Sequence, residues 1–176
     1  MIYQPAEDSY LLEKQVKRFA SSKTFLDMGA GTGIQSKAAI KSGASSVLAA
    51  DINQESIKYL KKQNISTIKS NLFSNIKSNF DLIAFNPPYL PKDKREPPAS
   101  QLATTGGKHG DEVILRFLKQ APLRLNKNGI ILLVISSLTP KTRILQLLKK
   151  LKLKKQILSS KKLFMEKLDV WKIKKS

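Results

Sequence analysis

The sequence predicts an α/β fold: a mainly parallel sheet of seven strands with an antiparallel final strand and helices on both faces. Three observations carry this expectation. Turn-bounded apolar segments alternate with amphipathic ones along the 176 residues, the pattern of strand–helix–strand units wound around one sheet. A glycine-rich turn, residues 29–33, joins the first apolar segment to a helix. The last two apolar segments have no helix between them, so the final strand must run antiparallel to its neighbour.

The elements follow in order. Residues 6–20 read as a helix, with Leu11, Leu12, Val16 and Phe19 near helical spacing and Pro5 just before it. Residues 24–28 (TFLDM) form a short buried strand, and residues 34–42 a helix with Gly43 in the position that ends one. Residues 46–50 (SVLAA) form a second strand ending at Asp51, and Asn53 can cap a helix running to Gln63. Residues 66–69 give a short third strand, expected at a sheet edge. Residues 81–85 (DLIAF) give a fourth, followed at once by Asn86-Pro87-Pro88-Tyr89. Two prolines forbid a helix there. A loop is expected to about Gly110, containing Pro91, Pro97, Pro98, Gly106 and Gly107; loops of that length are usually functional or disordered. A helix over 111–123, a central strand over 129–136 (GIILLVIS), a basic helix over 139–152 and strands over 155–159 and 168–173 complete the chain.

The length suits one compact domain over residues 1–176. There is no Cys, which excludes disulfides and cysteine-bound zinc, and the single His109 cannot build a metal site alone. No apolar run reaches the roughly 18 residues of a membrane span, and MIYQPAEDSY lacks the apolar stretch of a signal peptide. A cytoplasmic location is expected. The net charge is +19, and residues 141–176 hold only Glu166 and Asp169 as acids. Such a field attracts RNA, DNA or an acidic protein without choosing among them; a lysine-rich solvated surface is the plainer reading.

In residues 26–33 (LDMGAGTG) a strand runs into three glycines and a helix, a turn that lets backbone approach a ligand closely. Asp27 stands before the turn and Asp51 at the end of the next strand, both at the carboxyl edge where such sheets bind ligands. A carboxylate at Asp51 can accept both hydroxyls of a ribose. A dinucleotide and S-adenosylmethionine (SAM) both fit this description. The glycine spacing departs from G-x-G-x-x-G, and Asp27 would repel a pyrophosphate. SAM carries a cationic ammonium and sulfonium, for which Asp27 and Glu7 are suitable neighbours.

Asn86-Pro87-Pro88-Tyr89 supplies a reaction class. An amide nitrogen is a poor nucleophile because its lone pair is delocalised. The Asn86 side-chain oxygen and the Pro87 carbonyl can accept both its N–H groups and hold it in line, while Tyr89 packs against the flat group. No strong base is needed.

These segments resemble the HemK-type class I methyltransferases, most closely their short archaeal and eukaryotic branch, which methylates the glutamine of the GGQ motif in class 1 translation termination factors. Tyr3-Gln4-Pro5-Ala6-Glu7-Asp8-Ser9, the loop at 26–33, Asp51-Ile52-Asn53, Asn86 to Tyr89, and Gly106-Gly107, Gly110, Glu112-Val113 and Arg116-Phe117 all match the branch's motifs. The resemblance implies a Rossmann-like fold and a SAM cofactor yielding S-adenosylhomocysteine. It implies cofactor contacts from Ser9, Asp27, Gly29, Gly31, Asp51, Asn71, Leu72 and Asn86, with Asn86, Pro87 and Tyr89 at the reacting amide. Asn71 stands where the family usually has Asp; its oxygen is expected to accept from the adenine amino group. The eukaryotic relatives pair with a small zinc-binding activator, which implies such a partner here, on the edge around Ile65 to Ile68. Three other readings stand beside glutamine methylation: a nucleic-acid exocyclic amine, a protein lysine, and a silent SAM-binding scaffold. His109 reads as an exposed loop residue or the tip of a lid.

Overall fold

Apolar runs become strands where both faces must be hidden, and amphipathic runs become the helices that hide them. The computed structural model describes residues 2–92 and 104–176. Its main sheet is built from β1 (Thr24–Met28), β2 (Ser46–Asp51), β3 (Thr67–Lys69), β4 (Phe80–Phe85), β7 (Leu125–Ser136), β8 (Leu153–Leu163) and β9 (Glu166–Lys175). The order across it is β3-β2-β1-β4-β7-β9-β8. The first five of these are parallel, and β9 inserts antiparallel between β7 and β8. The seven strands, the antiparallel insertion and the edge position of β3 are as the sequence predicts.

Helices α1 (Glu7–Phe19), α2 (Ile34–Lys41) and α3 (Gln54–Lys61) precede the long loop, and α4 (Glu112–Gln120) and α5 (Thr142–Lys150) follow it. Leu11, Leu12 and Val16 of α1 and Ala38 and Ala39 of α2 pack on Phe25 and Leu82 on one face. Ile114, Phe117 and Leu118 of α4 and Ile144 and Leu148 of α5 pack on Leu26, Ile83 and Phe85 on the other. Asn53 caps α3, its side chain accepting from the Glu55 N–H. No helix of the described residues is long and apolar enough to cross a membrane.

The strand expected over 129–136 begins at Leu125 and the helix expected over 139–152 spans Thr142–Lys150; four further differences bear on the site or its surroundings. The segment after Tyr89 is not wholly irregular: β5 (Leu90–Pro91) pairs with β6 (Thr105–Gly107). Pro97 and Pro98 lie outside the described residues. The helix expected over 111–123 ends at Gln120, and Pro122 sits in a 3-10 turn, Ala121–Arg124; proline fits there because it needs no donor in the first turn. The final strands are longer than expected, because the lysine-rich flanks of β8 are an exposed edge that does not need apolar alternation. Ile65 is 6% exposed and packs with Ala30, Ala49 and Leu60, so it cannot offer an apolar contact to a partner; Ile68 is half-buried.

Candidate active site

The order of the sheet reverses between β1 and β4, and a crevice opens at their carboxyl ends. The loop leaving β1 turns through left-handed glycines, with φ of 63° at Gly29, 53° at Gly31 and 75° at Gly33. Asp51, at the end of β2, accepts the Gly31 N–H on Oδ2 at 2.8 Å and the Asn53 N–H on Oδ1 at 2.8 Å. It therefore pins the glycine loop to the start of α3. Burial raises its pKa, and the backbone donors oppose the rise. Each carboxylate oxygen has a second lone pair, and Asp51 borders a cavity of about 500 Å³, within the range of small-molecule sites.

Gly29, Gly31, Asp51, Asn71 and Leu72, all expected at the cofactor, line this cavity. Ser9, Asp27 and Asn86 are not on its wall. Asp27 lies under the loop, 2% exposed, where Oδ2 accepts the backbone N–H and hydroxyl of Ser36 at 2.9 and 2.7 Å. It holds the first turn of α2 against β1. Burial, aided by the Asp51 charge, pushes its carboxyl up to about 7. Asn71 Oδ1 accepts from Arg116 Nη2 at 3.0 Å, which orients the amide; the oxygen keeps a second lone pair and the NH₂ group its donors for a ligand. Leu72 adopts φ of 51°, a backbone state that costs a non-glycine residue about 1–3 kcal/mol and clusters at functional sites. The Ser70 hydroxyl donates to the Leu72 carbonyl at 2.6 Å and holds it there.

The tetrapeptide continues directly from β4 beside this cavity, since Phe85 and Pro88 line it and Asn86 and Pro87 lie between them. Asn86 Nδ2 donates to Ser9 Oγ at 3.5 Å. Its Oδ1 is buried with no hydrogen-bond partner among the described residues, a costly condition unless something else donates to it. Tyr89 faces Asp8, Glu166 and Tyr3, and burial together with these groups pushes its phenol far above its ordinary pKa, so it stays neutral. Tyr3 donates to Asp8 at 3.0 Å. The glycines at 106 and 110 pack on this segment: a Cβ at Gly106 would lie 2.7 Å from the Pro88 carbonyl oxygen, and one at Gly110 2.6 Å from that of Tyr89. His109 is exposed, and its backbone N–H donates to Glu112.

Four further residues belong to this region. Tyr3 and Arg116 lie inside the recognised motifs, and both line the cavity. Ile52 is an apolar side chain 43% exposed at the cavity, a signal visible as a lone apolar residue after Asp51. Glu166 arrives from the far end of the chain, and no local pattern announces it.

The residues present fit SAM. Asp51 presents carboxylate oxygens suited to the hydroxyls of a ribose, Ile52 and Leu72 offer apolar contact to a flat ring, and buried Asp27 tolerates a nearby cation better than an anion. Asp51→Ala should weaken SAM by about 1.5–3 kcal/mol, the scale of charge-assisted hydrogen bonds, as measured by calorimetry. Asp27 sets a pH dependence. Its folded pKa of about 7 exceeds the ordinary 3.8. The native state therefore binds more protons between these values, and the stability this group contributes is lost as pH rises from about 4 to about 7. A cationic ligand favours the ionised form, so SAM affinity should rise with pH up to about 7, by at most tenfold per unit, with proton release on binding. Calorimetry in buffers of different ionisation enthalpy reads both; a flat profile would uncouple Asp27 from the ligand.

Residues 7–164 match the methyltransferase small domain family. The chain is 40% identical over 177 residues to a protein of Methanocaldococcus jannaschii assigned as a protein N5-glutamine methyltransferase, with 96% of this chain and 89% of that one covered. It is 28% identical over 193 residues to human methyltransferase HEMK2, covering 99% and 90%. Among solved structures it resembles a chain of the E. cuniculi Mtq2–Trm112 complex responsible for methylating the translation termination factor eRF1. That likeness has a TM-score of 0.81 and 26% identity, with 99% of each chain covered.

Proposed function

The chain belongs to the methyltransferase small domain family, and on that premise we propose that it transfers the methyl group of SAM to the side-chain amide nitrogen of a protein glutamine. The acceptor is the GGQ glutamine of a class 1 translation termination factor. The observation that carries this reading is the buried, unpartnered Oδ1 of Asn86 beside the cavity. It is a ready acceptor for one N–H of an incoming amide. The protein N5-glutamine methyltransferase name of the archaeal relative and the eRF1 methylation by the Mtq2–Trm112 complex support the same acceptor.

Bound SAM supplies an electrophilic methyl group on a sulfonium. Asn86 Oδ1 and the Pro87 carbonyl hold the two amide hydrogens, which fixes the nitrogen and draws electron density onto it. Ser9 Oγ fixes the Asn86 amide from behind. Neutral Tyr89 closes one side of the acceptor site and keeps water from it. Transfer would exchange the sulfonium S–C bond for the new N–C bond and leave S-adenosylhomocysteine, and the surplus proton on the nitrogen held by Asn86 and Pro87 would pass to solvent. Holding and desolvating the nitrogen accounts for most of the acceleration.

The nucleobase reading is weaker. Asp8 and Glu166 flank Tyr89, and carboxylates at the acceptor oppose a phosphate backbone. Intact Asn86 and Asp51 oppose a silent scaffold. The basic surface over residues 141–176 serves encounter with an RNA-bound or acidic partner.

The Mtq2–Trm112 pairing supports a second subunit here, a small zinc-binding activator seated on the open edge of β3. One assay tests acceptor and partner together: labelled SAM with the organism's termination factor, RNA or DNA, each with and without the activator. Label should enter only the factor, and faster by about tenfold or more when the activator covers the edge. Equal rates with and without it would dismiss the partner, and label in nucleic acid would dismiss the glutamine assignment.

A further inference from the structure

The β8–β9 hairpin ends in a two-residue turn, Phe164-Met165, closed by Leu163 opposite Glu166. Turns this short favour Asn, Asp and Gly, which take left-handed backbone cheaply. Met165 instead has φ of 59°, and Phe164 and Met165 are 93% and 82% exposed, more than any other large apolar side chain described. Neither turn geometry nor core packing calls for them. A local sequence that opposes its local structure without a packing gain points to function.

The tip is firmly held. Ser136 Oγ donates to Glu166 at 2.5 Å, the Ser137 N–H donates to the Lys167 carbonyl at 2.8 Å, and the Lys167 N–H returns to Ser137 Oγ at 2.9 Å. Lys161 pairs with Glu7 at the start of α1. These bonds tie the hairpin to the end of β7 and to the helix that carries Asp8 and Ser9. Leu163 and Tyr89 pack against the same core cluster, and Glu166 faces the Tyr89 phenol. The apolar pair therefore stands on a rigid support at the rim of the acceptor site, and it takes no part in the SAM cavity.

Building on the glutamine reading above, we infer that Phe164 and Met165 form an apolar prong that docks the protein segment presenting the acceptor glutamine. A glutamine preceded by two glycines offers an enzyme no side chain to hold on that side, so affinity must come from contacts farther along the segment. Lys162, exposed beside the tip, favours an apolar segment with an acidic neighbour; Lys167, opposite it, is paired with Asp169.

The test is Phe164→Ser with Met165→Gly, substitutions that suit the turn and leave the hairpin folded. Thermal unfolding should occur at an unchanged or higher temperature. Binding and methylation of the termination factor are measured, with SAM affinity alongside. Kd and KM for the factor should rise about tenfold or more, as for an apolar anchor at an interface. SAM affinity and kcat at saturation should hold, and Phe164→Leu should retain most of the affinity. Unchanged Kd and KM in the double variant, or a fall in kcat alone, would overturn the prong. The premise fails separately: wild-type protein that binds the factor through Phe164 but leaves its glutamine unmethylated overturns the glutamine reading and keeps the prong. Wild-type protein that does not bind the factor overturns the prong.

Discussion

Asn86→Ala should lower turnover by two or more orders of magnitude while SAM binding changes by less than about threefold. The split follows from where Asn86 points. Its Oδ1 meets no donor in the described structure, and its Nδ2 reaches only Ser9 Oγ, at 3.5 Å. Removing the side chain therefore takes nothing from the cavity wall, which is built by Gly29, Gly31, Asp51 and their neighbours. It takes away the acceptor that aligns the amide nitrogen when charge moves off it. Calorimetry with SAM and single-turnover kinetics with saturating protein substrate separate the two effects. Unchanged turnover would mean that another group orients the acceptor, and the Pro87 carbonyl alone would have to carry it.

Gly106→Ala should be as damaging, from a residue that touches neither reactant. A Cβ there would lie 2.2 Å from the Gly110 carbonyl oxygen and 2.7 Å from that of Pro88. Both obstacles are backbone, so the tetrapeptide itself must shift. A misplacement of about 1 Å costs on the order of 100-fold in rate, and overpacking destabilises by about 1–3 kcal/mol. Lys108→Ala, two residues on and exposed, is the control that should change neither quantity. If Gly106→Ala keeps its stability and turnover, the glycine segment does not buttress the site.

The parts of this fold that were legible in the sequence are those governed by local chemistry. The glycine turn after β1, the Asn53 cap and the proline pair after β4 each announce a backbone state that few residues permit. The continuous apolar run of β7 declares a strand buried on both faces. Residues whose role depends on distant partners were hidden. Asp27 reads in sequence as a cofactor ligand; only the fold shows that one of its oxygens, Oδ2, also holds Ser36, nine positions away across the loop. Asn71 reads as an acceptor for adenine, and only the fold shows that Arg116 of α4 donates to the same oxygen and orients it. Ile65 reads as an exposed edge residue, but Leu60 of α3 covers it. Glu166 reads as one of two acids in a basic tail, and only the antiparallel insertion of β9 brings it to Tyr89. The length of β8 was hidden for the opposite reason. An exposed edge places few demands on its side chains, so its lysines carry no strand signal.

The acceptor atom is the centre of this account, and one measurement addresses it directly: tandem mass spectrometry of a termination factor incubated with SAM and the wild-type protein, with Asn86→Ala in parallel. The account predicts a single added methyl group on the side-chain nitrogen of the GGQ glutamine, formed more slowly by about 100-fold or more with Asn86→Ala. A methyl group on a lysine of the factor, or equal glutamine methylation by both proteins, would contradict it.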